Sequence, residues 1–224
     1  SFVKSVVKGT LIVEGLGALI LSVRFIGEHG FFKGVYYGIF HSISAFCNAG
    51  FDLFGYKEKF CSLVPYQNDP VVILTISALV IIGGIGFAVW EDVVTHKLHI
   101  KKYQLHSKIV LVVTTVLLVF GTLFFMYSEN NTVLKDMPFG ERLLSSFFAA
   151  VTPRTAGFNS VDIASMSTAG KVFTAVLMFI GGSPGSTAGG VKTTTIFVLL
   201  LALFKSENNN GNISFRQKRI NNRL

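Results

Sequence analysis

Apolar and polar positions fall in long blocks along this chain rather than alternating residue by residue. Four apolar runs, 2–26, 71–90, 108–127 and 168–204, each supply the roughly 20 helical residues that cross a bilayer core. The last of them is interrupted. A shorter apolar piece lies between the first two runs, at 34–46, and another between the last two, at 139–152. About thirteen helical residues cover only roughly 20 Å, so each short piece has to enter the membrane and turn back. Period-two alternation is absent from the runs, which argues against a β-barrel. The pattern predicts an all-α membrane protein.

Each short piece ends in the same tripeptide, Ala49-Gly50-Phe51 and Ala156-Gly157-Phe158, with the glycines 107 positions apart. Setting Gly50 on Gly157 places Ala49 on Ala156 and Asn48 on Thr155. A repeat at that spacing predicts two copies of one module: helix, re-entrant helix, loop, helix. One such tripeptide alone reads as a surface turn. Two in register, each between spans, read as backbone held at membrane depth with its carbonyls turned toward an ion. The candidate filter residues are therefore Asn48, Ala49, Gly50, Thr155, Ala156 and Gly157. Pro153 disfavours helix at Thr152 and fits a helix ending there.

The fourth run carries five glycines and a proline between 181 and 190. Both residue types weaken helix interiors, so the span is predicted to break. The candidate gating loop is Gly181, Gly182, Ser183, Pro184, Gly185, Ser186, Thr187, Ala188, Gly189 and Gly190. A phosphate-binding loop would need its lysine directly after the second glycine, but Val191 stands between Gly190 and Lys192. Lys192 is a charge inside a span, facing the pathway or reaching to the inner interface. Arg154 reads either as a brace beside a cation path or as the partner of Asp162. Glu14 is read as lying near the inner end of its helix and His41 as structural. His96, His99 and His106 are read as solvated, so no metal site is expected beyond the transported ion.

Net charge +8 and a pI near 9.6 raise the question of nucleic acid, and the placement of the charges answers it. Lys4 and Lys8 open the chain, Lys97, Lys101, Lys102 and Lys108 crowd the middle linker, and Arg216, Lys218, Arg219 and Arg223 crowd the tail. Basic residues at span ends mark the cytoplasmic side and lipid headgroups. Both tripeptides then face outward, and nucleic acid is not an expected partner. Cys47 and Cys61 are too few for a disulfide framework and are read as free thiols. Two sequons, at Asn130 and Asn212, carry little weight, the second being on the cytoplasmic side. The chain starts at Ser, stops inside a basic segment and is read as a fragment.

The segments SISAFCNAGFD, VTPRTAGFNS and above all GGSPGSTAGGVKTTT resemble the membrane subunit of the Trk/Ktr/HKT potassium transporters. The resemblance implies a bacterial multi-pass plasma-membrane protein in which four helix–pore-helix–filter–helix repeats surround one path. Residues 1–95 would be the family's second repeat, 96–107 a cytoplasmic linker, 108–206 the third repeat with its intramembrane loop, and 207–224 a truncated cytoplasmic segment. It further implies K⁺, possibly Na⁺, as the transported ion, no covalently bound cofactor, a homodimer, and a cytosolic nucleotide-binding regulatory ring. Two repeats are missing, so Gly50 and Gly157 would form half a filter and a longer parent protein is implied. Two other classes compete. An intramembrane enzyme using Ser183 or Ser186 lacks a base at suitable depth, and a purely structural subunit would carry no flux. The expectation is a transporter, not an enzyme.

Overall fold

The computed structural model describes residues 2–57, 59–97, 99–204, 213–215 and 218–220. Eight α-helices follow in order: α1 Phe2–His29, α2 Phe31–Phe46, α3 Pro70–Gly84, α4 Phe87–His96, α5 Leu105–Ser128, α6 Phe139–Val151, α7 Thr168–Phe179 and α8 Thr193–Phe204. In the tail, β1 (Ile213–Phe215) pairs antiparallel with β2 (Lys218–Ile220), a hairpin that the apolar pattern did not predict. The rest of the expected 207–224 segment lies outside the described residues.

Gly30, at φ 79°, turns the chain straight from α1 into α2, which runs back along α1. Small residues make that return possible. A Cβ on Gly34 would meet the Ile26 backbone at 2.6 Å, and one on Gly38 would meet the Ser22 backbone at 2.5 Å. One turn further, the Ser42 hydroxyl donates to the Glu14 carbonyl at 2.7 Å. Small residues every fourth position let two helices approach backbone to backbone, the usual basis of helix packing in lipid. The second copy repeats this more loosely, with Gly121 of α5 against Ala150 of α6.

Among the described residues, α1 and α5 are each long and apolar enough to cross a membrane. The run 71–90, expected as one span, is two helices bent by 98°. Gly86, at φ 94°, cannot continue α3, and α4 leaves in a new direction. The indole N–H of Trp90 reaches back across the bend to the Ile82 carbonyl at 2.9 Å. The expected break in the last run is present: α7 ends at Phe179 and α8 begins at Thr193.

The two modules share one core. Phe148, Val151, Ala156 and Phe158 of the second pack with Phe46, Phe54, Ile73 and Ile76 of the first. Hydrogen bonds join the outer loops as well, from Leu63 N–H to the Asn159 carbonyl (2.8 Å) and from Asn159 N–H to the Ser62 hydroxyl (3.1 Å).

Candidate functional site

The two short helices end where the sequence places the tripeptides, and the backbone beyond them takes the same course twice. Asn48 and Gly50 have φ of 51° and 72°, and Thr155 and Gly157 have 66° and 80°. Positive φ at alternate residues is uncommon outside glycine and reverses successive peptide planes. In both copies the alanine N–H returns to the last helical turn, Ala49 to the Ser44 carbonyl (2.9 Å) and Ala156 to the Thr152 carbonyl (3.0 Å). A hydroxyl from that turn then holds the phenylalanine carbonyl: Ser44 to Phe51 at 2.8 Å, and Thr152 to Phe158.

These loops meet at their glycines. A Cβ on Gly50 would lie 2.5 Å from the Ala156 carbonyl oxygen and 2.7 Å from Gly157 Cα, and one on Gly157 would lie 3.2 Å from Gly50 Cα. Gly50 has no room for a side chain, and at Gly157 a Cβ would be tight and would sit on a positive φ. Helices α2 and α6 both point their C-termini at this junction, and helix C-termini carry partial negative charge that favours a cation.

The 181–190 loop packs directly against the junction. The Asn48 amide donates to Thr187 Oγ1 (2.8 Å), which donates in turn to the Phe46 carbonyl at the end of α2 (2.8 Å). Gly189 N–H donates to Thr155 Oγ1 at 2.9 Å. Asn48 and Thr155 are equivalent in the repeat, so the loop is fastened to both copies at the same place. Since Thr187 gives its proton to Phe46, Asn48 has to present its NH₂, and Asn48 Oδ1 is left buried without a partner.

Lys192 does not stand free. Its ammonium is half-buried and caps the Ala188 carbonyl of the loop at 2.9 Å. Ser183 is buried with its hydroxyl 3.0 Å from that of Thr193, and Ser186 donates to the Ser183 carbonyl. Neither serine meets a histidine or carboxylate, as a nucleophile would require.

Arg154 is buried, 5% exposed, and its guanidinium reaches Thr114 Oγ1 of α5 at 3.4 Å. Of the two alternatives, the pair with Asp162 is not formed. Asp162 instead accepts from Ala164 N–H and the Ser165 hydroxyl, and those hydrogen bonds hold its carboxyl below the ordinary range. Glu14 stands about three turns from the start of α1, and its carboxylate lies 3.9 Å from the Cys47 thiol at the end of α2. Cys47 and Cys61 are both free thiols. His41 is structural: Nδ1 donates to the Tyr37 carbonyl (2.7 Å) and Nε2 accepts from Leu53 N–H (3.3 Å), which anchors the chain leaving the first tripeptide.

Gly83, Gly84 and Gly86 were not singled out from sequence, and they form the other side of the loop's bed. The Gly83 and Gly84 carbonyls accept from Thr187 N–H (3.2 Å) and Ser183 N–H (3.0 Å), and Phe87 N–H donates to the Gly185 carbonyl (2.9 Å). A signal existed in the chain: Ile82-Gly83-Gly84 and Ile180-Gly181-Gly182 are the same tripeptide.

Comparison with known proteins agrees with this architecture. The family model TrkH, described as cation transport protein, matches residues 1–224. The chain is 47% identical over 207 residues to the potassium/sodium uptake protein NtpJ of Enterococcus hirae, covering 90% of this chain and 44% of that protein. It is 42% identical over 193 residues to the Ktr system potassium uptake protein B of Bacillus subtilis, covering 85% and 42%. The chain thus spans less than half the length of these relatives, which are uptake proteins rather than enzymes. Among solved structures, the potassium transporter TrkH from Vibrio parahaemolyticus superposes with a TM-score of 0.68 at 20% identity, over 88% of this chain and 39% of that one. That likeness is of fold. This chain, a predominantly helical membrane segment, belongs to the TrkH family of cation transport proteins.

Proposed function

We propose that this chain forms half of a potassium path in the plasma membrane. Gly50 and Gly157, with their flanking carbonyls, form part of the filter, and the 181–190 loop is its gate. The observation that carries this reading is the junction itself. Two loops with the same alternating positive φ touch at glycines where a side chain would be crowded and strained, and the 180–192 break between α7 and α8 is fastened to both. A ring of carbonyl oxygens replaces an ion's hydration shell, and the remaining carbonyls come from the rest of the full-length protein. Moving a cation inward gains about 2.3 kcal/mol per 100 mV, so uptake needs no ATP hydrolysis here. Lipid surrounds the spans, the full-length protein works as a dimer, and the basic inner linker meets a cytosolic nucleotide-binding ring.

A second reading, Na⁺ permeation or Na⁺ coupling, is favoured by the name of the Enterococcus hirae relative, a potassium/sodium uptake protein. Tracer uptake by the full-length protein in liposomes tests both. Replacing 181–190 with alanines is expected to raise Rb⁺ flux and leave the K⁺/Na⁺ preference unchanged. Unchanged flux would end the gate reading, and equal Na⁺ and Rb⁺ flux through the native protein would favour the second.

A further inference from the structure

Both second helices of the repeat are broken, and the two breaks satisfy each other. Where a helix stops, its last carbonyls and the next helix's first N–H groups lose their partners, and in lipid they need new ones. At the α3–α4 bend the loop supplies them: Ser183 and Thr187 N–H cover the Gly84 and Gly83 carbonyls, and the Gly185 carbonyl takes the Phe87 N–H. The fit is tight, since a Cβ on Gly86 would stand 2.6 Å from the Pro184 carbonyl oxygen. The loop therefore cannot leave the bend without exposing three backbone partners.

Helix α4 continues from that bend for ten residues, about 15 Å. Its second half is clamped to the inner linker. Asp92, 2% exposed, accepts from Gln104 N–H at 2.9 Å and from the Ser107 hydroxyl, at the start of α5. Its near end is stiffened by Trp90, whose ring packs against Phe46 and Phe87 while its N–H bonds to Ile82. A short rigid helix held at one end by the linker and at the other by the loop transmits displacement between them.

We propose that α4 is an arm that couples the inner linker to the 181–190 loop, with the 83–86 bend as the seat on which the loop closes. This rests on reading the loop as a gate. Phe87 is the first residue of α4, where proline is tolerated, so Phe87→Pro removes the N–H to Gly185 and keeps the helix start. Phe87→Ala keeps that N–H and loses the ring, and so sets the reference. The assays are Rb⁺ flux by the full-length protein and, in a Cys47→Ser background, the rate at which an impermeant thiol reagent modifies Ser186→Cys from the inner side.

Phe87→Pro is expected to exceed Phe87→Ala in both by about three- to tenfold, the effect of one lost hydrogen bond. Asp92→Asn combined with Ser107→Ala frees the inner end of the arm and is expected to raise both by about two- to threefold, less because the bonds at the bend persist. Equal behaviour of Phe87→Pro and Phe87→Ala overturns the seat. An unchanged loop in the Asp92 and Ser107 variant overturns the arm. Alanine replacement of 181–190 run alongside separates the two readings. If it opens the path while the Phe87 and Asp92 variants do nothing, the gate stands and the arm falls. If it too leaves flux unchanged, the gate reading itself has failed.

Discussion

The two modules are alike at the junction and unlike almost everywhere else. At the junction they share the positive φ pair, the alanine return to the last turn, and the hydroxyl on the phenylalanine carbonyl. One residue beyond it they part. Phe158 is fully buried in the common core, whereas Phe51 is 69% exposed. Their outer ends are tied differently as well. In the first, Arg24 of α1 pairs with Asp69, whose other carboxylate oxygen caps α3 through Val71 and Val72 N–H. In the second, Glu129 at the end of α5 accepts from Ser167 N–H (2.9 Å) and the Ser167 hydroxyl (2.6 Å), and Ser167 caps α7. Each tie joins the end of the first helix to the cap of the second, through an ion pair in one copy and a carboxylate–serine pair in the other. Geometry that serves the axis is kept in both copies, while tasks that only hold helices together are solved twice by different chemistry.

The largest expected effect tests the shared part. Alanine at Gly50 or Gly157 imposes a positive φ on a residue that avoids it and pushes into the facing loop. In the full-length protein each is expected to lower Rb⁺ uptake at least about tenfold with membrane abundance kept, since αL strain alone costs about 1–3 kcal/mol. Gly50→Ala should be the worse, because its Cβ meets backbone at 2.5 Å rather than 3.2 Å. Uptake lost only in proportion to abundance would make these glycines merely structural. Gly157→Ser, carrying a larger side chain, should behave as Gly157→Ala does.

A smaller effect tests the tie of the second module. Burial pushes the Glu129 carboxyl up, but hydrogen bonds from Ser167, Thr132 and Ser128 outweigh it and hold it below its ordinary value of 4.5. A carboxyl lowered on folding stabilises fully above that ordinary value, and the stabilisation is lost as pH falls through the folded value. Thermal unfolding of the purified full-length protein should therefore show a midpoint that drops below pH 4.5. Glu129→Gln should remove most of that pH dependence and, at pH 7, cost about 1.5–3 kcal/mol, the range for hydrogen bonds to a charged group. A variant with the native pH profile would show that another carboxylate is responsible.

Much of this was legible because it is local. Apolar run length marked most of the helices, the two short ones among them, and the interrupted last span, and the repeated tripeptide marked the junction. The α3–α4 bend was hidden because 71–90 is uninterrupted in hydropathy and glycine is common in membrane helices. What breaks the helix at Gly86 is not the glycine alone but a set of backbone partners about 100 positions later. The Asn48–Thr187 bond spans 139 positions, and no local pattern announces it. The partner of Arg154, Thr114 of α5, was hidden for a related reason. A lone charge in an apolar run says that it needs a partner, not which helix supplies it.

The smallest expected effect separates the two functions that Asp69 combines. Arg24 keeps 38% of its side chain exposed, so its ion pair with Asp69 is solvent-screened and worth about 0.2–1 kcal/mol at most. The cap is independent of it, since Asp69 Oδ1 holds Val71 and Val72 while Oδ2 faces Arg24. Losing an N-cap costs about 1 kcal/mol and does not depend on salt. Arg24→Gln should thus lower the unfolding midpoint slightly in dilute buffer and leave it unchanged in molar salt, where charges are screened within about 3 Å. Asp69→Ala should lower it more, and the excess should persist in salt. Asp69→Asn, which can still cap, should match Arg24→Gln. If Arg24→Gln and Asp69→Asn leave the midpoint unchanged even in dilute buffer while Asp69→Ala still lowers it in molar salt, the first module is held by its cap in the way the second is held by Ser167, and the ion pair adds nothing to the tie.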